Sequence, residues 1–133
     1  MNDLEHRIQC GIVRHLRLRG ACVFAVPNGG ARDAITGKRL KCEGDLAGVS
    51  DLVIVGKGEV FFVEIKTPTG KQSDSQKEFQ REVEARGFKY LLWRSVDDAA
   101  NWANETYGRG CLACSKPKQL MLSAPALFQG ARK

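Results

Sequence analysis

An α/β fold with a mixed central sheet flanked by helices is predicted by three features of this chain. Two runs rich in β-branched and aromatic residues, Val49–Val55 and Val60–Lys66, are separated only by Gly56-Lys57-Gly58-Glu59, which reads as a β-hairpin. Amphipathic segments lie on either side of it. Leu4, Ile8, Ile12 and Leu16 recur every four residues before the hairpin, and Phe79 and Val83 do so after it. A further apolar run, Phe88–Arg94, is reached from the hairpin through a helix, so it joins the sheet as a parallel neighbour. The predicted order is α-β-β-β-α-β-α.

The first helix is expected over Asp3–Arg19, with Val13 widening its apolar stripe and Gly20 as its stop. Arg7, Arg14, Arg17 and Arg19 dominate its polar side. Glu5 lies beside the Leu4/Ile8 stripe, at the edge of the core; by itself it reads as a first-turn glutamate favoured by the helix dipole. Ala21–Val26 is a short strand without a polar residue, ended by Pro27-Asn28-Gly29-Gly30. Arg32–Gly48 reads as a loop, with Lys38, Arg39 and Lys41 set against Asp33, Glu43 and Asp45. After Lys66, Thr67–Gln72 breaks the strand, and a helix begins near Ser73. Ser73 with Gln76 fits a capping box, and Gly87 supplies the far cap. Ser95 with Asp98 opens a last helix that ends at Gly108, with Val96, Ala99 and Ala103 turned inward. Trp93 and Trp102 are read as core residues rather than base-stacking platforms.

The hairpin carries the chemistry. Pairing Val55 with Val60 places Asp51 opposite Glu64, and the alternation of side chains puts Asp51, Glu64 and Lys66 on one face. That face also carries Val49, Val53, Val55, Val60 and Phe62, so it is not a plainly solvated surface. Opposed Cα atoms of an antiparallel pair lie roughly 4.5–5.5 Å apart. Two carboxylates at that spacing repel each other unless they share a cation, and hard oxygen donors suit magnesium or manganese better than zinc. A lysine beside such a pair can steady developing negative charge. Together they make a metal site for phosphodiester hydrolysis. The competing reading is a salt bridge on a solvated sheet face.

The pattern Asp51, hairpin, Glu64-Ile65-Lys66 resembles the core of the PD-(D/E)xK nuclease superfamily. With Asn28-Gly29-Gly30-Ala31-Arg32, Gly48-Val49-Ser50-Asp51-Leu52, Ser73-Asp74-Ser75-Gln76 and the helical Glu5, it is similar to the virus-type replication-repair nucleases, the VRR-NUC family, of the stand-alone phage and bacterial type. The likeness spans residues 3–107. Ser50 stands where that family usually has proline, a backbone device rather than a ligand. The resemblance implies a restriction-endonuclease-like fold and a magnesium- or manganese-dependent endonuclease acting on DNA. It implies Asp51, Glu64 and the Ile65 backbone carbonyl as metal ligands. Lys66 is the implied catalytic amine, Glu5 a further carboxylate acting directly or through water, and Gln76 a residue reaching back to the site. Asn28, Arg32, Lys38, Arg39, Lys41 and Lys71 are the expected DNA contacts. Branched DNA, as for a Holliday-junction resolvase, and a homodimer follow by analogy. Flap or general duplex cleavage and a catalytically inactive DNA-binding module are the alternatives.

Composition agrees with this. The 133 residues, 43% of them apolar, suffice for one domain over residues 1–107 and a basic tail over 108–133. No run approaches the ~20 apolar residues of a membrane span, and Met1–Glu5 lacks the features of a signal peptide, so a cytoplasmic protein is expected. The net charge of +6 is concentrated in the tail, where Arg109, Lys116, Lys118, Arg132 and Lys133 meet no acid. Such a tail suits phosphate attraction, and equally suits solubility. Five cysteines are present, an odd number that favours free thiols. Cys111 and Cys114 form a lone CxxC, half of a zinc site, and without a second pair the sequence argues against zinc.

Overall fold

The computed structural model describes residues 2–27 and 34–109. The chain runs α1 (Asp3–Leu18), β1 (Cys22–Ala25), α2 (Ala34–Cys42), β2 (Leu52–Val55), β3 (Val60–Ile65), α3 (Asp74–Ala85), β4 (Lys89–Trp93) and α4 (Val96–Tyr107). The four strands form one sheet in the order β1-β2-β3-β4. Both pairs made by β2 are antiparallel, and β3 with β4 is parallel. The α/β class with a mixed sheet is therefore as expected.

Local signals set the helix ends. Asn2 caps α1 by accepting from the Leu4 N–H at 2.7 Å. At its far end Gly20, at φ 85°, lets the Ala21 N–H return to the Leu16 carbonyl and the Gly20 N–H to that of Arg17. This is the Schellman arrangement, which needs a left-handed residue. Gly87 ends α3 in the same way. Both α3 and α4 open with complete capping boxes, at Ser73/Gln76 and Ser95/Asp98.

One sheet face packs on α1 and α4. Ile12 and Leu16 from α1, and Ala99 and Ala103 from α4, close over Leu52, Ile54, Phe61, Val63, Ile65 and Trp93. The two helices approach closely because Gly11 leaves room: a Cβ there would stand 2.8 Å from Val96. Trp93 is buried, and Trp102 meets Phe61 edge-on at 5.0 Å between centroids and Trp93 at a tilt at 5.3 Å. The expected stripe of α1 holds at Ile12 and Leu16, but Leu4 remains half exposed. The opposite face is covered by α3, whose Phe79 meets Phe62 and Tyr90 edge-on.

The segment expected as a loop over Arg32–Gly48 instead contains α2, so the element order gains a helix. No side chain of α2 is buried, Ile35 is 82% exposed, and Arg39 pairs with Glu43 one turn on at 3.0 Å. Without a buried stripe, and with Gly37 in mid-helix, nothing in its periodicity announces it. Among the described residues no helix is long and apolar enough to cross a membrane.

Candidate active site

The hairpin register is the predicted one. Leu52 faces Val63 and Val55 faces Val60, so Asp51, one residue before β2, stands opposite Glu64. Backbone and side chain of Asp51 are both tied to the sheet. Its carbonyl accepts from the Val26 N–H, extending the β1 pairing, and its Oδ2 accepts from the Ile65 N–H at 2.8 Å. Ser50, in front of it, is wholly buried with its hydroxyl donating to the Leu52 carbonyl. A hydroxyl thus braces the backbone on entry to the strand.

Glu64 is fully buried. Its Oε1 accepts from the Lys66 ammonium at 3.0 Å and from Gln76 Nε2 at 2.5 Å; its Oε2 faces the Tyr90 hydroxyl at 3.4 Å. Gln76 performs both roles open to it in the sequence. The amide oxygen caps the helix by accepting from the Ser73 N–H at 2.8 Å, and the amide nitrogen reaches Glu64. The two ends of one amide join the N-terminus of α3 to the hairpin.

Asp51, Glu64, Lys66, Gln76 and Glu5 all line one polar cleft of about 250 Å³, which Gly48, Val49, Ser73 and Ser75 complete. Glu5 turns inward from the first turn of α1 and raises the pKa of Asp51 by its charge. A separate, mostly apolar hollow between Leu46 and α3 shares only Ser75 with this cleft and gathers no such set of carboxylates.

Burial is costly for these carboxylates. Glu64 is pushed up to about 7, first by loss of hydration and then by the charge of Asp51, with Lys66 acting the other way. Asp51 is also raised, chiefly by burial, although the Ile65 N–H and Lys66 lower it. Two desolvated acids in one cleft, one of them raised further by the charge of the other, form a site that a cation would relieve.

The donor set fits a hard cation that keeps part of its water. Among the described residues no three His, Cys, Asp or Glu side chains converge closely enough to hold a metal. Asp51 and Glu64, with water completing the shell, would suit magnesium or manganese and fall short of a closed zinc site; Ile65 is not among the residues that line the cleft.

The remaining expected residues lie elsewhere. Lys38, Arg39 and Lys41 are exposed on α2, and Lys71 is exposed in the turn before α3; none lines the cleft. Asn28, Arg32 and the Cys111/Cys114 pair fall outside the described residues, as does the tail from residue 110. Cys10, Cys22 and Cys42 are free thiols at the surface.

Two contributors, Tyr90 and Arg94, are not marked in the sequence, and Gly48, already part of the motif before Asp51, takes on a further role. Tyr90 sits on β4 beside Phe62, two residues from Glu64, because of the parallel register; in sequence it is one more aromatic in an apolar strand. Arg94 donates to the carbonyls of Thr67, Pro68 and Gly70, and so grips the turn that leads from Lys66 to α3. Gly48 lets the chain pass against the start of α3, since a Cβ there would run into the Ser75 carbonyl.

No protein-family profile and no curated protein matches the sequence. Solved structures do match the fold. One described as a VRR_NUC domain is 20% identical, with a TM-score of 0.58 over 80% of this chain and 99% of that one. Another, described as a VRR_NUC domain protein, is 16% identical, with a TM-score of 0.65 over 83% of this chain and 93% of that one. The chain therefore has the fold of the VRR_NUC domain structures, with its acidic hairpin cleft set into that fold.

Proposed function

We propose that this protein is a magnesium- or manganese-dependent endonuclease that hydrolyses phosphodiester bonds in DNA. The observation that carries the proposal is the convergence of Asp51, Glu64 and Lys66 in one cleft, with the lysine ammonium 3.0 Å from the buried glutamate. The fold shared with VRR_NUC domain structures supports it.

Asp51 and Glu64 are the residues that hold the cation, with the Ile65 carbonyl as the further ligand that the family resemblance implies. Once bound, the ion supplies Lewis-acid polarisation of a phosphate oxygen and acidifies a water. Lys66 is 12% exposed, enough to meet a phosphate at the cleft mouth while its other side is fixed on Glu64. It stabilises negative charge as the phosphorus becomes pentavalent. Gln76 holds Glu64 in place, and Glu5 orients water from the rim. Lys38, Arg39, Lys41 and Lys71, exposed outside the cleft, attract the flanking backbone without reading sequence.

The finer reading is a homodimer that cuts branched DNA, each subunit nicking one strand. The test is cleavage of labelled four-way, flap and linear duplexes with and without magnesium, alongside light scattering. The expected outcome is metal-dependent cleavage preferring the four-way junction, by a species of twice the chain mass. Asp51→Asn and Lys66→Ala should each lower the rate at least about 100-fold. Undiminished cleavage by either variant would refute the assignment, and preference for flap or linear DNA would refute the junction reading alone.

A further inference from the structure

Behind Glu64, away from the cleft, lies a chain of polar side chains that the proposed chemistry leaves unused. Gln72 Nε2 stands 3.1 Å from Gln80 Oε1 and 3.4 Å from the Tyr90 hydroxyl, which in turn stands 3.4 Å from Glu64 Oε2. These contacts join the turn before α3, the helix itself, β4 and β3. None of the three residues lines the cleft.

The direction of the chain follows from its chemistry. An amide nitrogen only donates, so Gln72 presents N–H groups to Gln80 Oε1 and to the phenol oxygen. The phenol has one proton, and the neighbour left to accept it is Glu64 Oε2. Tyr90 therefore donates to the carboxylate. Lys66 and Gln76, which do line the cleft, both engage the other oxygen, Oε1. The two oxygens of Glu64 are thereby distinguished, Oε1 on the side of the cleft and Oε2 on the side of Tyr90.

We propose that Tyr90 is a positioning residue that, held through Gln72 and Gln80, fixes the Glu64 carboxylate from behind the cleft and so sets its affinity for the cation. The inference rests on the metal-dependent reading above and adds what holds the carboxylate that binds. Partners that orient a metal-binding carboxylate commonly change metal affinity about 10- to 100-fold when lost. The ring of Tyr90 packs against Phe79, with centroids 6.3 Å apart, so Tyr90→Phe removes the hydroxyl and keeps that contact.

The experiment is manganese titration of the purified full chain by calorimetry and by electron paramagnetic resonance, without DNA. Tyr90→Phe is expected to weaken manganese binding about tenfold. Gln72→Leu should weaken it less, and the double variant no more than Tyr90→Phe alone, because Gln72 acts through the phenol. Phe79→Leu, which disturbs the packing and leaves the hydroxyl, should bind as the parent does. In cleavage assays the Tyr90→Phe defect should shrink as manganese is raised. Parent-like manganese affinity in Tyr90→Phe overturns the proposal, as does an additive double variant. If Tyr90→Phe does not fold, parent-like affinity in Gln72→Leu overturns it instead. A parent chain that binds no manganese, or binds it equally after Asp51→Asn, defeats the metal-site reading and this inference together. Loss of binding in Asp51→Asn beside unchanged binding in Tyr90→Phe defeats this inference alone.

Discussion

Glu64 concentrates the tension of the site in one side chain. It is wholly buried, faces Asp51 across the hairpin, and holds its proton up to about pH 7 instead of its ordinary 4.5. A carboxyl whose pKa is raised on folding stabilises the fold most below its unfolded value. That contribution fades as the pH climbs from about 4.5 to 7 and stays lost above. Metal-free protein should therefore lose on the order of 3 kcal/mol across that window from this group. Glu64→Gln, which stays neutral, should flatten the slope and raise stability at pH 8. Urea denaturation at several pH values checks this, and a steeper slope in the variant would contradict it. Magnesium should reverse the preference, because the bound ion favours the ionised form. Metal affinity should accordingly fall as pH drops through 7.

At the scale of the element, the start of α3 decides whether a cleft exists. Its first turn meets Gly48, whose φ of +82° and lack of a side chain allow the backbone of Ser75 and Gln76 to approach. Gly48→Ala combines a left-handed strain with a backbone clash and should cost about 3 kcal/mol or more, measured by chemical denaturation. Gln76→Ala should cost about 1 kcal/mol as a lost cap, and should also free Glu64 on one side. Gln76→Glu tests the double duty: it keeps the acceptor for the Ser73 N–H while placing an acid against Glu64. Activity should then fall although the helix stays capped. The contrast is α2, which has no buried side chain. A Cβ at Gly37 would meet nothing within 4 Å. Gly37→Ala should strengthen that helix locally by up to about 1 kcal/mol, seen as slower amide exchange, with global stability little changed.

At the scale of the whole molecule, the core of the described residues and the basic run of the sequence lie in different stretches of the chain. Every buried hydrophobic residue among those described lies between Ile12 and Ala103. The role of the basic tail is tested by ending the chain after Arg109, which would remove Lys116, Lys118, Arg132 and Lys133. If these meet phosphates, the slope of log affinity against log salt becomes shallower by up to about 3–4. An unchanged slope would mean that the tail only solubilises. The sheet of this molecule was readable because its hairpin is local. Alternation and a four-residue turn are enough to put Asp51 opposite Glu64, and capping residues mark α3 and α4 in the sequence. Helix α2 was not readable, since it buries nothing and so leaves no period behind.

By itself, the sequence determined the α/β class, the hairpin register and the shared face of Asp51, Glu64 and Lys66, all consequences of contacts close along the chain. Tertiary structure alone decided that Glu5 turns toward that face, that one amide of Gln76 both caps a helix and holds Glu64, and that Tyr90 stands behind the glutamate. Those depend on how α1, α3 and β4 dock on the hairpin. Docking is set by burial of apolar surface across long stretches of chain, and it leaves no spacing in the sequence from which a polar contact can be read.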